Sequence, residues 1–281
     1  MSRTYITIIC WGIVCTILYN LTASILRAVG NSRVPLYFLV LSAGLNVVLD
    51  LVFIICFHWG VGGAAAATVI AQGVSGFLCL IYMFAKEDFL RLKKEHFSLD
   101  RHVVRNQIYI GIPMALQFSI TAIGTMMVQA ALNMLGSTVV AAYTAACKVE
   151  QTVTTAFQAM GTTMATYSAQ NWGIHSLDRL RRGQKASVLV TCIYAVIIYG
   201  VVLLLLPFET GLFFSGDVSE VIGYVRTYIS ICGLFFIPLG LIFIYRNLLQ
   251  GCGYVLIPTL GGVVELISRG IFAFAAAQSH S

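Results

Sequence analysis

The sequence predicts an all-α membrane protein with eight transmembrane helices. Three observations carry that prediction. Of its 281 residues, 59% are hydrophobic and 10% charged, and the mean hydropathy is +0.88. A soluble domain carries about 25% charged residues. The apolar residues gather into eight runs of about 20 or more, the length that crosses a bilayer as a helix. The basic residues sit mainly in alternate breaks between these runs. Disorder is excluded, because it needs low hydrophobicity and high charge. A β-barrel is excluded, because it would show alternating segments of about ten residues.

The runs are 5–26, 37–57, 61–84, 108–135, 139–168, 186–207, 221–249 and 255–277. The first lacks the cleavage site of a signal peptide. Its Asn20-Leu21-Thr22 sequon lies inside the span and out of reach of glycosylation. The second carries Asn46 and Asp50. The third opens on Gly62, Gly63 and Ala64 to Ala67, small residues whose expected role is close helix packing. The fourth and seventh contain Pro113 and Pro238, which are expected to kink their helices by removing a backbone bond. The fifth holds Lys148 and Glu150, the sixth follows a basic stretch, and the eighth holds Glu265 and Arg269. The eight cysteines lie almost all within these runs, with no CxxC pair and no Cys/His metal spacing. They read as buried free thiols, not disulfides or zinc ligands.

The net charge is +6. A nucleic-acid binder would collect its basic residues on a patch or stripe. Here twelve of the 17 fall in the breaks 27–35, 85–105 and 171–185, while the alternate breaks hold Arg3, Arg226 and the acidic group Glu209, Asp217 and Glu220. By the positive-inside rule the three basic breaks are cytoplasmic. Both chain ends are then expected outside. A chain that enters a span straight after Arg3 and stops at Ser281 just past another reads as a piece of a longer protein.

An internal repeat supports that expectation. With residue 3 laid on residue 226 and no gaps, Arg3/Arg226, Thr4/Thr227, Tyr5/Tyr228, Ile6/Ile229, Ile8/Ile231, Leu26/Leu249, Gly30/Gly253 and Pro35/Pro258 are identical. Six spans separate the copies. Six is even, so both copies run the same way through the membrane, as in parallel-repeat transporters with two lobes.

These features meet a known family. The chain resembles the multidrug and toxic compound extrusion (MATE) transporters, most closely their bacterial branch, along nearly its whole length. The likeness rests on LRAVGNSRVP (26–35), LNVVLDLVFI (45–54), GVGGAAAATVIAQ (60–72), GIPMALQFS (111–119), LGSTVVAAYTAACKVEQ (135–151), YSAQNWG (167–173) and LLQGCG (248–253). The resemblance implies a twelve-helix, two-lobed fold with parallel six-helix repeats, of which this chain would be helices 4–11. Residues 1–84 would then belong to the amino-terminal lobe (three helices). Residues 85–105 would be a cytoplasmic linker, and 106–281 part of the carboxy-terminal lobe (five helices). It also implies an antiporter of the bacterial plasma membrane, not an enzyme. Such a protein exports organic, often cationic, drugs or metabolites in exchange for Na⁺ or H⁺. The expected partners are the lipid bilayer and a small-molecule substrate, without nucleotide, nucleic acid or cofactor. The complete protein is expected to be a monomer.

Ionisable groups inside a span are costly and usually functional. Asp50 lies about eight residues from the outer end of its span, or ~12 Å deep. Asn46 is one turn away on the same face. Thr68 is also ~12 Å deep in the next, antiparallel span. Three oxygen-bearing side chains can thus converge, which suits a hard cation, and the carboxylate alone suits a proton. The family's Asn-x-x-x-Asp and Thr positions of its amino-terminal-lobe cation site fall on Asn46, Asp50 and Thr68. The family site also uses an acidic residue on a first helix that this sequence does not include. The alternative role for Asp50 is to brace helices by hydrogen bonding.

A second polar cluster is expected in the carboxy-terminal lobe: Lys148, Glu150, Gln151, Glu265 and Arg269. Glu265 precedes Arg269 by four residues, the better orientation for a pair. A cross-helix Glu150–Arg269 pair is expected as well. The alternative is ion pairing that only fixes helix packing. One branch of the family carries a glutamate eight residues after the proline of its seventh helix. Thr121 stands there in this sequence, which argues against a carboxylate cation site on that helix. Phe118, Met126, Met127, Gln129, Tyr143, Phe157 and Met160 could line a substrate cavity, since Met and aromatic side chains adapt to varied ligands. Lipid contact or core packing is the alternative for each.

Two other function classes compete. A lipid-linked-precursor flippase of related fold would need a large cationic central cavity, whereas the basic residues here sit mainly in loops. An intramembrane enzyme would need a motif such as HExxH or GxSxG, and ATP-driven pumping a GxxxxGK[ST] loop. Neither is present in the sequence. An inactive or partner-dependent truncated fragment is the remaining alternative.

Overall fold

The computed structural model of the protein describes residues 2–87, 90, 100–134, 136–213 and 219–279. Those residues form helices and short turns, with no strand among them. The helices are α1 (Ser2–Trp11), α2 (Ile13–Ala28), α3 (Arg33–Leu51), α4 (Gly60–Lys86), α5 (Arg101–Asn133), α6 (Ser137–Gly173), α7 (Leu177–Phe213), α8 (Ser219–Leu234), α9 (Phe236–Gly251) and α10 (Leu256–Ser279). A π-helical turn, Val52–Cys56, continues α3. Arg91, Lys93 and Lys94 of the expected linker, and Asp217 of the acidic break, lie outside the described residues.

Each expected span falls on one helix or on one bent pair. α1 and α2 meet at 48°, and α8 and α9 meet at 52°. Among the described residues four helices are long and apolar enough to cross a membrane, or six if each bent pair is one span. α6 is outside that set because it is rich in threonine. Its hydroxyls are satisfied by its own backbone: Thr144 donates to Val140 O (2.7 Å), Thr155 to Gln151 O (2.7 Å) and Thr163 to Ala159 O (2.9 Å). The 171–185 break is mostly helix rather than loop. Only the turn 174–176 separates α6 from α7, and α7 begins with Asp178, Arg179, Arg181 and Arg182 ahead of its apolar stretch.

The chain divides into two compact units, Met1–Leu99 and Asp100–Ser281. In the first, α4 is the hub and packs on α1, α2 and α3. The reason is a seam of small side chains at four-residue spacing: Gly63, Ala67, Ala71, Ser75, Cys79 and Met83 are all buried. Small residues at that spacing let backbones approach closely. The approach is closest at Gly76, where a Cβ would stand 2.9 Å from the backbone N of Tyr19. Packing is thus the role of the glycine–alanine run, as expected.

In the second unit α6 packs on α7, α8 and α9, and α5 packs on α10. The core joins Ala142, Ala146, Val153 and Phe157 of α6 to Ala195 and Val202 of α7, Val225 and Ile229 of α8, and Phe236 of α9. Phe157 meets Tyr194 and Phe236 edge-on, with ring centroids at 5.3 and 6.2 Å. The long α5 starts on a cap, Asp100 accepting from His102 N at 2.8 Å.

The repeat is preserved residue by residue. Under the sequence alignment, the break at Gly12 falls on the break at Phe235, the end of α2 on the end of α9, and the start of α3 on the start of α10. Both turns use a left-handed glycine, Gly30 at φ 90° and Gly253 at φ 87°. Both close with matching bonds, Asn31 N to Leu26 O and Tyr254 N to Leu249 O, each 2.9 Å. The seventh span bends by 52° at Phe235, three residues before Pro238. α5 continues as helix through Pro113. Pro238 lies in the first turn of α9, where its missing N–H costs no intrahelical bond. The first copy bends by nearly the same angle with Cys15 in the equivalent place.

Candidate functional site

In the first unit α3 and α4 are packed neighbours joined by the short turn 57–59. That arrangement brings Asn46 to Thr68: Asn46 Nδ2 donates to Thr68 Oγ1 at 3.3 Å, and Thr68 Oγ1 donates to Ala64 O at 3.0 Å. Asp50, one turn along from Asn46, is half-buried. Its Oδ1 is fully buried and has no hydrogen-bond partner among the described residues. The same is true of Gln72 Oε1. Gln72 follows Thr68 by one helical turn and shares its face. Sequence reasoning missed it, although that spacing was the available signal.

The local chemistry is an excess of acceptors over donors. Buried carboxylate and amide oxygens without donors are costly, and a proton or an oxygen-loving cation supplies what is lacking. The backbone also departs from regular helix here. The π turn begins two residues after Asp50, with Phe57 N donating to Val52 O at 3.2 Å. Such turns are frequent at functional sites. Beyond it, Phe53 stacks on Trp59 at 5.1 Å, and Phe57 lies 5.7 Å from Trp59. This aromatic cluster closes the end of the helix pair at a level suited to a membrane interface.

The polar cluster expected in the second unit is split between two places. Tyr228 OH of α8 donates to Glu150 Oε2 of α6 at 2.7 Å, and the Tyr143 ring meets Tyr228 edge-on at 5.7 Å. Tyr143, Tyr224, Thr227 and Tyr228 help to line a cavity of about 290 Å³ whose other walls are aliphatic. Elsewhere, Arg269 Nη2 pairs with Glu265 Oε1 at 2.7 Å, and Arg269 Nη1 donates to Thr125 Oγ1 of α5 at 3.4 Å. The expected Glu150–Arg269 pair is not formed, because each partner is taken by a group closer to it. Lys148 and Gln151 are exposed. Thr121 donates to Gln117 O of its own helix at 3.1 Å. Tyr228 was missed as a site residue, although its place in the Arg-Thr-Tyr repeat marked it.

Of the seven expected cavity residues, Phe157 alone is withdrawn into the core. Tyr143 lines the cavity just described. Phe118 and Met126 are 71% and 70% exposed, Met127 is exposed and Met160 half-buried. Gln129 donates to Asn133 Oδ1 at 3.2 Å. Phe157 is 1% exposed and belongs to the core. Its aromatic neighbours on α7 and α9 fill the space that a ligand would need.

Comparison with known proteins places this arrangement in a family. The MatE family model matches residues 1–52 and 113–274. "Probable multidrug resistance protein YpnP" of Bacillus subtilis (strain 168) is 30% identical over 184 residues, which is 64% of this chain and 40% of that protein. "Probable multidrug resistance protein NorM" of Thermotoga maritima is 24% identical over 271 residues, covering 92% of this chain and 56% of that protein. The chain thus spans about half the length, or less, of these curated relatives. A solved structure described as "Crystal structure of MATE in complex with MaL6" shares the fold, with a TM-score of 0.85 at 18% identity over 98% of this chain and 70% of that one. The matched segments include α1–α3 with Asn46 and Asp50, and they run from Pro113 of α5 through Arg269 of α10; the chain belongs to the MatE family.

Proposed function

We propose that this chain forms the cation-coupling and part of the substrate-handling machinery of a secondary active antiporter. The complete protein sits in a bacterial plasma membrane and exports organic, often cationic, compounds in exchange for Na⁺ or H⁺. The observation that carries this reading is the buried Oδ1 of Asp50, without a partner among the described residues, one turn from the Asn46–Thr68 bond. A carboxylate inside a span defaults to an ion or proton pathway. Binding of the coupling ion at Asp50 favours one facing state, and binding of the exported compound favours the other. Each ligand shifts the balance only by its differential affinity for the two states. The relatives' names, which speak of multidrug resistance, support an organic cargo. The absence of a catalytic motif agrees with transport instead of chemistry.

The test is Asp50→Asn in the complete transporter, reconstituted in vesicles with an imposed ion gradient. Loss of gradient-driven efflux with normal membrane insertion is expected. Undiminished efflux of a fluorescent substrate would overturn the role.

A further inference from the structure

α6 differs from the other long helices in what it exposes. α7 exposes Leu189, Val190, Ile193 and Val196, and α3 exposes Leu39, Val40 and Val47, as suits helices facing lipid tails. Among the described residues, α6 exposes no large apolar side chain. Its exposed positions from 144 to 163 are threonines, glutamines and one lysine, with Ala159 the exception. At 3.6 residues per turn, Thr144, Lys148, Gln151, Thr155, Gln158 and Thr162 fall within an arc of ~80°. They extend over ~27 Å of helix, close to the ~30 Å of a bilayer's hydrocarbon core. The core residues Ala142, Ala146, Val153 and Phe157 occupy the opposite side.

A polar stripe of that length is mismatched to lipid tails, which offer no hydrogen bonds, and matched to water. Its threonines already give their protons to the helix. Thr152 donates to Lys148 O and Thr162 to Gln158 O, each at 3.0 Å. The donors left facing outward are the Lys148 ammonium and the side-chain amides of Gln151 and Gln158. Lys148 and Gln151 are three residues apart and so adjoin on the helix surface. Lys148 lies nine residues into its apolar run, or ~14 Å deep. It forms no ion pair among the described residues. Glu150 does not neutralise it. Two residues on is ~200° round the helix. There the Glu150 carboxylate is held by Tyr228 OH at 2.7 Å. Glu265 is taken by Arg269. An ammonium at that depth is costly without an anion or water beside it.

We infer that the exposed stripe of α6 walls a water-filled passage, and that Lys148 and Gln151 form a binding point there for the carboxylate or phosphate group of an organic solute. Lys148 supplies the charge, and the Gln151 amide supplies a directed N–H. The rest of the stripe continues as neutral hydrogen-bonding groups without a carboxylate, so an anionic group meets no repulsion along it. In naming a charged group on the exported compound, this inference rests on the function proposed above. The binding point itself does not.

Binding is read by fluorescence anisotropy on the purified complete transporter. The probes are two dyes with the same three-ring frame, anionic fluorescein and cationic rhodamine 123. The wild type is expected to bind fluorescein saturably, and benzoate or phenyl phosphate to displace it, whichever anionic group is preferred. Lys148→Gln should weaken fluorescein binding about tenfold, the worth of a hydrogen bond to a charged group. Lys148→Arg should retain it, and rhodamine 123 should bind Lys148→Gln no more weakly than wild type. No saturable fluorescein binding, displacement by neither anion, an unchanged affinity in Lys148→Gln, or equal weakening for both dyes would each overturn the inference. Should Lys148→Gln not fold, Gln151→Leu replaces it: a several-fold loss for fluorescein alone supports the site, and no loss overturns it. The water-filled face is tested in membrane vesicles with a sulfonated methanethiosulfonate. Thr155→Cys should be labelled above the unsubstituted protein, and Val196→Cys should not. An unlabelled Thr155→Cys overturns the passage. Efflux by Asp50→Asn reports on the proposed function independently, so the two readings fail separately.

Discussion

Helices α1–α3 in the first unit and α8–α10 in the second bend, turn and restart at equivalent residues, yet they carry different polar groups. In the first, Asn46 meets Thr68 and Asp50 keeps a buried oxygen without a partner among the described residues. In the second, Glu150 accepts from Tyr228 and Glu265 is paired with Arg269. The backbone devices are shared because they depend on what few positions allow: a left-handed glycine and a matched pair of closing bonds. The polar groups are free to diverge because each is a side chain on a conserved rod. Repetition of the fold therefore does not imply repetition of the chemistry.

The largest effect expected from this contrast is at Asp50. Asp50→Asn should abolish gradient-driven efflux, and an equal loss from Glu150→Gln would erase the distinction between the copies. Next comes Tyr228→Phe, which removes a hydrogen bond to a half-buried carboxylate and should cost about 2 kcal/mol. Chemical denaturation in detergent measures that cost. An unchanged midpoint would show that Glu150 is satisfied by other groups. Gly30→Ala and Gly253→Ala should each cost about 1–2 kcal/mol, since both glycines lie at positive φ. Their midpoints should fall by similar amounts, and a clear inequality would break the equivalence of the two turns. The smallest effect is expected from Thr68→Val, which removes one interhelical hydrogen bond worth about 0.6 kcal/mol in membrane proteins. Stability should barely change while the half-saturating concentration of the coupling ion rises. An unchanged ion dependence would remove Thr68 from the site.

Much of the fold was legible in the apolar runs, because a chain dissolved in lipid must satisfy its backbone within helices. The break at Phe235 was signalled by Pro238, but the break at Gly12 was not legible. It lies in uninterrupted apolar sequence, and no proline marks it. Packing decides it: a Cβ at Gly12 would collide with Val69 of α4. The Asn46–Asp50–Thr68 constellation was legible because four-residue spacing and equal depth are sequence properties. Gln72 shared the same spacing but carried no charge to single it out. Phe157 was misplaced as a cavity residue because an aromatic side chain on a helix reads the same whether it faces a ligand or another ring. Tyr194 and Phe236, both far away in sequence, settle its place in the core.

The sequence by itself determined the solvent, the helices, the repeat and the level at which charges enter the membrane. Those follow from hydropathy, spacing and the cost of burying a charge, which are local quantities. Tertiary structure decided which charges are partnered. Glu150 and Arg269 could have met, but Tyr228 and Glu265 stand closer, and a hydrogen bond or ion pair is decided over a few ångströms that no one-dimensional pattern contains. Asp50 Oδ1 has no such neighbour among the described residues, and only the packing of α3 on α4 shows that.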